Sequence, residues 1–140
     1  MLRYLTYIPY LLFFITLIAT LASLYFSEIM KLPPCVLCWY QRIAMYPLVF
    51  ITAVAIIRKD LQNLAYYLLP ISIIGWLIAL YHNLLYYHII PESIAPCQTG
   101  ISCTTKFVKL AGFIDIPLGS LISFTIIIIC TIIYMKKRHD

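Results

Sequence analysis

Four long stretches without a formal charge constrain this chain more than any other feature. Tyr4 to Ser27 is 24 residues, Ile43 to Ile57 is 15, Leu61 to Pro91 is 31 and Ile116 to Met135 is 20. A helix needs about 20 mostly apolar residues to cross the hydrocarbon of a bilayer. The shortest stretch reaches that length when extended upstream to Val36, with Arg42 inside the helix. Only helices or closed barrels satisfy the backbone in lipid, and these runs lack the alternation of barrel strands. The pattern predicts an all-α membrane protein, a four-helix transmembrane bundle with helices near residues 5–26, 36–57, 64–84 and 117–134. It reads as a single integral-membrane domain over 1–140. Composition excludes the alternatives. At 64% hydrophobic and 11% charged, a soluble domain of this size would expose most of its apolar surface, and disorder needs the opposite balance. The first run carries Arg3 and a Thr20-Leu21-Ala22 tripeptide resembling a cleavage site. Its apolar length far exceeds the ~7–15 residues of a signal peptide core, so it reads as a retained span.

Ten Lys/Arg against five Asp/Glu give a net charge of +5. The basic residues fall in short clusters between apolar runs, with no basic stripe and no recognition motif, so no nucleic-acid partner is expected. They read as topology. With four spans both termini share a side. Cytoplasmic termini put Arg3, Arg58, Lys59, Lys136, Lys137 and Arg138 inside and Lys31, Lys106 and Lys109 outside, six against three, as the positive-inside rule favours. Tyr4, Tyr7, Tyr66, Tyr67 and Tyr134 then mark the inner interface, and Tyr25, Trp39, Tyr40, Tyr81, Tyr86 and Tyr87 the outer one. Two extracytoplasmic loops result, 27–35 and 85–116, and the inner loop Arg58–Asn63 is too short to hold a site.

Four of the five cysteines, Cys35, Cys38, Cys97 and Cys103, fall in these outer loops or at the membrane edge, where an oxidising compartment permits disulfides. Cys35-Val36-Leu37-Cys38 follows Pro33-Pro34 and opens an apolar helix. In a first helical turn, unpaired N–H groups and the positive dipole end stabilise a thiolate, the species that exchanges with disulfides. A bare C-x-x-C divides between redox and metal readings. Arg42 shifts the balance, since it lies four residues beyond Cys38 on the same helical face and an arginine within a span is costly. It is positioned to hold a carbonyl oxygen of a membrane quinone and to depress the Cys38 pKa. Cys97 and Cys103 make a second pair in a loop kept non-helical by Pro96 and Gly100, with Lys106 and Lys109 close enough in sequence to act on Cys103. Two pairs on one membrane face suggest a relay. Electrons enter at the loop, pass by thiol–disulfide exchange to Cys35 and Cys38, and leave to a lipid-soluble acceptor, the loop swinging to allow it.

Pro34-Cys35-Val36-Leu37-Cys38-Trp39-Tyr40-Gln41-Arg42, with Pro96-Cys97 and Ile116-Pro117-Leu118, resembles the DsbB family of disulfide-bond formation proteins. Ser23–Ile29 and the close-spaced loop cysteines are most similar to its Bacillus-type branch, BdbC. The resemblance covers nearly the whole chain. It implies a thiol–quinone oxidoreductase of the cell membrane, with menaquinone or ubiquinone as acceptor. The enzyme would reoxidise an extracytoplasmic thioredoxin-like thiol oxidase and so support disulfide formation in exported proteins. It implies that Cys97 is attacked by the partner and Cys103 resolves, that Cys35 exchanges with the loop, that Cys38 lies next to the quinone, and that Arg42 contacts the quinone. Proteobacterial members separate the loop cysteines far more widely, and Gln41 stands where an acidic residue is common. In the related vitamin K epoxide reductase group the C-x-x-C follows the loop pair rather than preceding it.

The alternative is a structural membrane protein, either holding zinc on the four outer cysteines or stapled by disulfides; no metal is expected in the redox reading. Cys130, deep in the fourth helix, reads as a packing residue. His82, near the outer end of the third helix, reads as a hydrogen-bonded interfacial histidine, with proton delivery to a reduced quinone as its other open role. His88 and His139 read as solvent or headgroup residues, Asp115 as a helix-start signal, and Gly119 and Ser120 as small residues for close helix packing.

Overall fold

The computed structural model describes residues 2–97, 100–104, 109–110 and 114–139. Four helices dominate. α1 is Leu2–Leu24, continued by a π-helical turn, Tyr25–Ile29; α2 is Val36–Arg58, α3 Leu64–Tyr86 and α4 Ile116–His139. Each is long and apolar enough to span a bilayer. Between α3 and α4 lie a 3-10 turn, Glu92–Ile94, and a two-stranded antiparallel ribbon, β1 Lys109–Leu110 with β2 Ile114–Asp115. The helices form a ring in which α1 packs on α2 and α4, and α3 packs on the same two.

The surface is inverted relative to a soluble protein. Phe50, Ile57, Tyr4 and Ile43 are each at least 65% exposed, an outward apolar face on that scale marks contact with lipid, and the chain is a multi-pass membrane protein. Inside, Leu12, Leu48, Leu68, Phe124 and Ile127 are fully buried in one core. Thr16, Thr52 and Thr131 share it. Each hydroxyl donates to the carbonyl four residues back in its own helix, at 2.7–2.9 Å, which removes most of the cost of burying a polar group. Cys130 packs at the edge of this core, as a small apolar residue would.

The helix ends depart from the charge-based expectation, because a charge ends a membrane span and not a helix. α4 runs past Tyr134 through Lys136, Lys137, Arg138 and His139, where cations favour the negative end of the helix dipole. Arg138 and Tyr134 both donate to the Leu61 carbonyl at 2.9 Å and tie this end to the α2–α3 loop. The small residue set against another helix is Gly75, where an added Cβ would fall on the Phe124 ring. Gly119 and Ser120 instead line a cavity.

Candidate functional site

The cavity lies at the end of the bundle where α2 begins. The Pro33-Pro34 segment delivers Cys35 to the N-cap of α2 in extended conformation (φ −73°, ψ 171°), the backbone usual for an N-cap residue. There the Cys35 Sγ takes the place of a capping oxygen and accepts the Cys38 backbone N–H at 3.4 Å. The sulfurs of Cys35 and Cys38 share a hydrogen bond at 3.1 Å. Cys35 is held well below the usual thiol range, at about 4. The Cys38 thiol contributes most, then the His82 N–H and the backbone N–H of Cys38, while burial acts in the opposite direction. The helix start acts on Cys35, the capping residue, more directly than the motif alone indicates.

One turn further along, Arg42 borders the same cavity. Its Nη2 donates to the Ser23 carbonyl at 3.1 Å, and its guanidinium lies over the Trp39 ring, 5.4 Å from the centroid. Ser23 precedes the π-turn, and its carbonyl also accepts the Ser27 hydroxyl at 3.3 Å. The half-buried cation is thus fixed by backbone and ring, with no carboxylate paired to it among the described residues.

The loop folds back onto the start of α2. Cys97 and Cys103 are joined by a disulfide with Cα atoms 5.8 Å apart, and both are packed in one buried cluster with Cys35, Leu85 and Ala95. Gly100 (φ +104°) turns the chain between them, in a region that L side chains rarely adopt. Glu92 accepts hydrogen bonds from Ser102 and Thr104, pinning the loop beside Cys103. Lys106 lies outside the described residues, and Lys109 is described in backbone only, within β1.

His82 differs from expectation in one respect. It is hydrogen-bonded near the end of α3, as expected, but is buried inside the bundle at 2% exposed. Its Nε2 is 3.2 Å from the Cys103 carbonyl and 3.8 Å from the Cys35 Sγ, and its Nδ1 meets the Gln41 side-chain amide at 3.0 Å. Asp115 is also more than a helix-start signal. It is buried and lines the cavity, its Oδ2 accepts the Tyr87 hydroxyl at 3.4 Å, and its Oδ1 has no partner among the described residues. Asn83 joins α3 to the start of α4, donating to the Pro117 carbonyl at 2.8 Å. His88 is exposed, as expected of a headgroup residue.

Zinc on four thiolates does not match this arrangement, because the loop sulfurs are bonded to each other. Cys35, Cys38 and His82 do bring ligand atoms within 4.8 Å of one another, the one such cluster among the described residues. Yet a carbonyl oxygen only accepts, so the His82 Nε2 facing Cys103 carries a hydrogen and has no lone pair for an ion.

The family model described as "Disulfide bond formation protein DsbB" matches residues 6–134. The chain belongs to the DsbB family. Among curated relatives, a "Probable disulfide formation protein C 1" of Bacillus anthracis is 47% identical over 122 residues, covering 86% of each chain. A "Disulfide bond formation protein C" of Bacillus subtilis is 46% identical over 128 residues, covering 90% of this chain and 91% of its own. A "Probable disulfide formation protein" of Metapseudomonas resinovorans is 42% identical over 124 residues. No solved structure matches. This DsbB-family membrane protein is accordingly a thiol oxidoreductase of disulfide formation.

Proposed function

We propose that the chain is a protein-dithiol:quinone oxidoreductase. It reoxidises an extracytoplasmic thioredoxin-like thiol oxidase and delivers the electrons to a membrane quinone, menaquinone or ubiquinone. The observation that carries this reading is a single cavity of about 490 Å³ that reaches Cys35, Cys38, Arg42 and Cys103 and is otherwise walled mainly by apolar side chains, Ile15, Ile18, Phe26 and Phe124 among them. A substituted quinone ring fits such a chamber, with apolar walls for its faces and one fixed cation for a carbonyl oxygen. When bound, a quinone supplies a two-electron, two-proton sink.

The chain's own residues do the rest. The partner's thiolate attacks Cys97, and the Cys103 thiolate leaves with the electron pair of the broken bond. The partner's second thiolate then attacks its own sulfur in the mixed disulfide, and both loop cysteines are reduced. Next, the Cys103 thiolate attacks Cys35 of an oxidised Cys35–Cys38 pair, and Cys38 leaves as thiolate. Finally, the Cys97 thiolate attacks Cys103, remaking the loop disulfide and releasing Cys35 as thiolate. Two electrons have then moved from loop to helix pair, and the loop thiol protons have gone to solvent. Cys38 is left one helical turn from Arg42, which would hold the acceptor.

Arg42→Lys tests the assignment. Lysine keeps the charge and loses the planar fork. One charge-assisted hydrogen bond is worth about 1.5 kcal/mol or more, so KM for quinone should rise roughly tenfold in purified protein driven by reduced partner, with the loop disulfide intact. Normal turnover at limiting quinone would remove Arg42 from the site. Cys97→Ser should abolish reaction with the partner and leave Cys35 and Cys38 able to form their disulfide.

A further inference from the structure

The relay leaves His82 and Gln41 unassigned, although both are buried beside the reacting sulfurs. The Cys103 carbonyl 3.2 Å from the His82 Nε2 requires a hydrogen on that nitrogen. The Gln41 Nε2, 3.0 Å from Nδ1, supplies the hydrogen on the other side. In this pairing Nε2 is the donor of the ring and Nδ1 its acceptor. That one N–H lies between the backbone of Cys103 and the sulfur of Cys35, 3.8 Å away. These are the residues that must bond to each other for electrons to pass between the pairs.

We propose that His82 is a catalytic residue of the exchange between the two cysteine pairs and that Gln41 positions it. This role rests on the relay described above. Before exchange, the Nε2–H holds the Cys103 carbonyl and keeps the loop cysteine against Cys35. When the Cys97 thiolate attacks the Cys103–Cys35 mixed disulfide, the Cys97–Cys103 bond forms, the Cys103–Cys35 bond breaks and the electron pair goes to Cys35. The same N–H then donates to the departing Cys35 thiolate, together with the Cys38 backbone N–H 3.4 Å away. No proton leaves the ring, and Gln41 prevents it from turning over to the tautomer with a bare Nε2.

The test uses the full chain in two forms. With Cys38 and Cys97 changed to Ala, the rate is measured at which dithiothreitol, standing in for Cys97, attacks Cys103 of the Cys35–Cys103 disulfide and releases Cys35 as thiolate. With all cysteines present, the loop pair oxidised and the helix pair reduced, the pH dependence of Cys35 alkylation is measured. The other ionisable groups lining the cavity, Cys38, Arg42, Tyr46, Tyr86 and Asp115, are untouched in the second form. His82→Leu should slow opening of the Cys35–Cys103 disulfide roughly 10-fold, as expected for loss of a hydrogen bond to the charged leaving thiolate. It should also move the alkylation midpoint upward. His82→Gln, which carries an N–H at similar reach, should restore most of both. If His82→Leu matches the parent in both measurements, or His82→Gln fails as completely as His82→Leu, His82 has no such role. If the Cys35–Cys103 disulfide does not form even with His82 present, the relay itself is overturned and this role with it.

Discussion

A thiol with a pKa near 4 makes a prediction at the scale of one residue. Alkylation consumes thiolate, so a group whose pKa is lowered keeps its reactivity as the medium is acidified. Cys35 should react with iodoacetamide at a nearly constant rate from neutral pH down to about 5 and slow only near 4, whereas a free cysteine slows below about 8.5. Cys38→Ala removes the largest cause of the shift and should return the midpoint most of the way to the ordinary thiol range. Mass mapping of the modified residue over a pH series checks both. At this scale the sequence shows part of the site. Cys35, Cys38 and Arg42 are legible because a helical face links residues three and four apart. His82 is 47 residues from Cys35, and Gln41 is 41 from His82. Their meeting depends on how α2 and α3 rotate against each other, which no local pattern encodes. One available signal was the polar character of Gln41 and His82 inside otherwise apolar helices, where an unsatisfied polar group is expensive.

Among the elements, existence and type are written in the charge gaps, while ends and contacts are not. The gaps record where lipid begins, and α4 continues four residues beyond its last apolar position because backbone hydrogen bonds and the helix dipole tolerate lysine and arginine there. The α3–α4 seam shows the same limit. The sequence points to Gly119 and Ser120 for close packing, and only the three-dimensional register singles out Gly75. Phe124 is fully buried, so its ring has little room to move for a methyl group. Gly75→Ala should destabilise the bundle by about 1–3 kcal/mol, the usual cost of overpacking. Phe124→Leu should also destabilise it on its own. Together they should cost less than their sum, because the smaller side chain vacates the space that the methyl needs. Thermal unfolding of the single and double variants in one detergent measures the coupling, and strict additivity would mean that the two residues do not meet.

For the whole molecule, the decisive quantity is the side of the membrane on which the cysteines work. The Cys35–Cys38 and Cys97–Cys103 pairs pack into one cluster at one end of the bundle, whereas Lys136, Lys137 and Arg138 close α4 at its C-terminus beside the α2–α3 loop. Four spans put those two ends on opposite faces of a bilayer. The basic residues at the second end carry the excess that holds a membrane protein's cytoplasmic side in place, and a disulfide relay needs the first end to face an oxidising space. In a chain whose native cysteines are changed to alanine, a reporter cysteine at Lys31 should react with an impermeant maleimide added to intact cells, and one at Lys59 only after the membrane is opened. Neutralising Arg58, Lys59, Lys136, Lys137 and Arg138 together should turn over at least part of the population, so that the Lys59 reporter becomes accessible in intact cells, since the remaining charges, Arg3 against Lys31, Lys106 and Lys109, favour the opposite orientation. If Lys59 is labelled in intact cells without those changes, the cysteine pairs face the reducing side and the proposed direction of electron flow is lost.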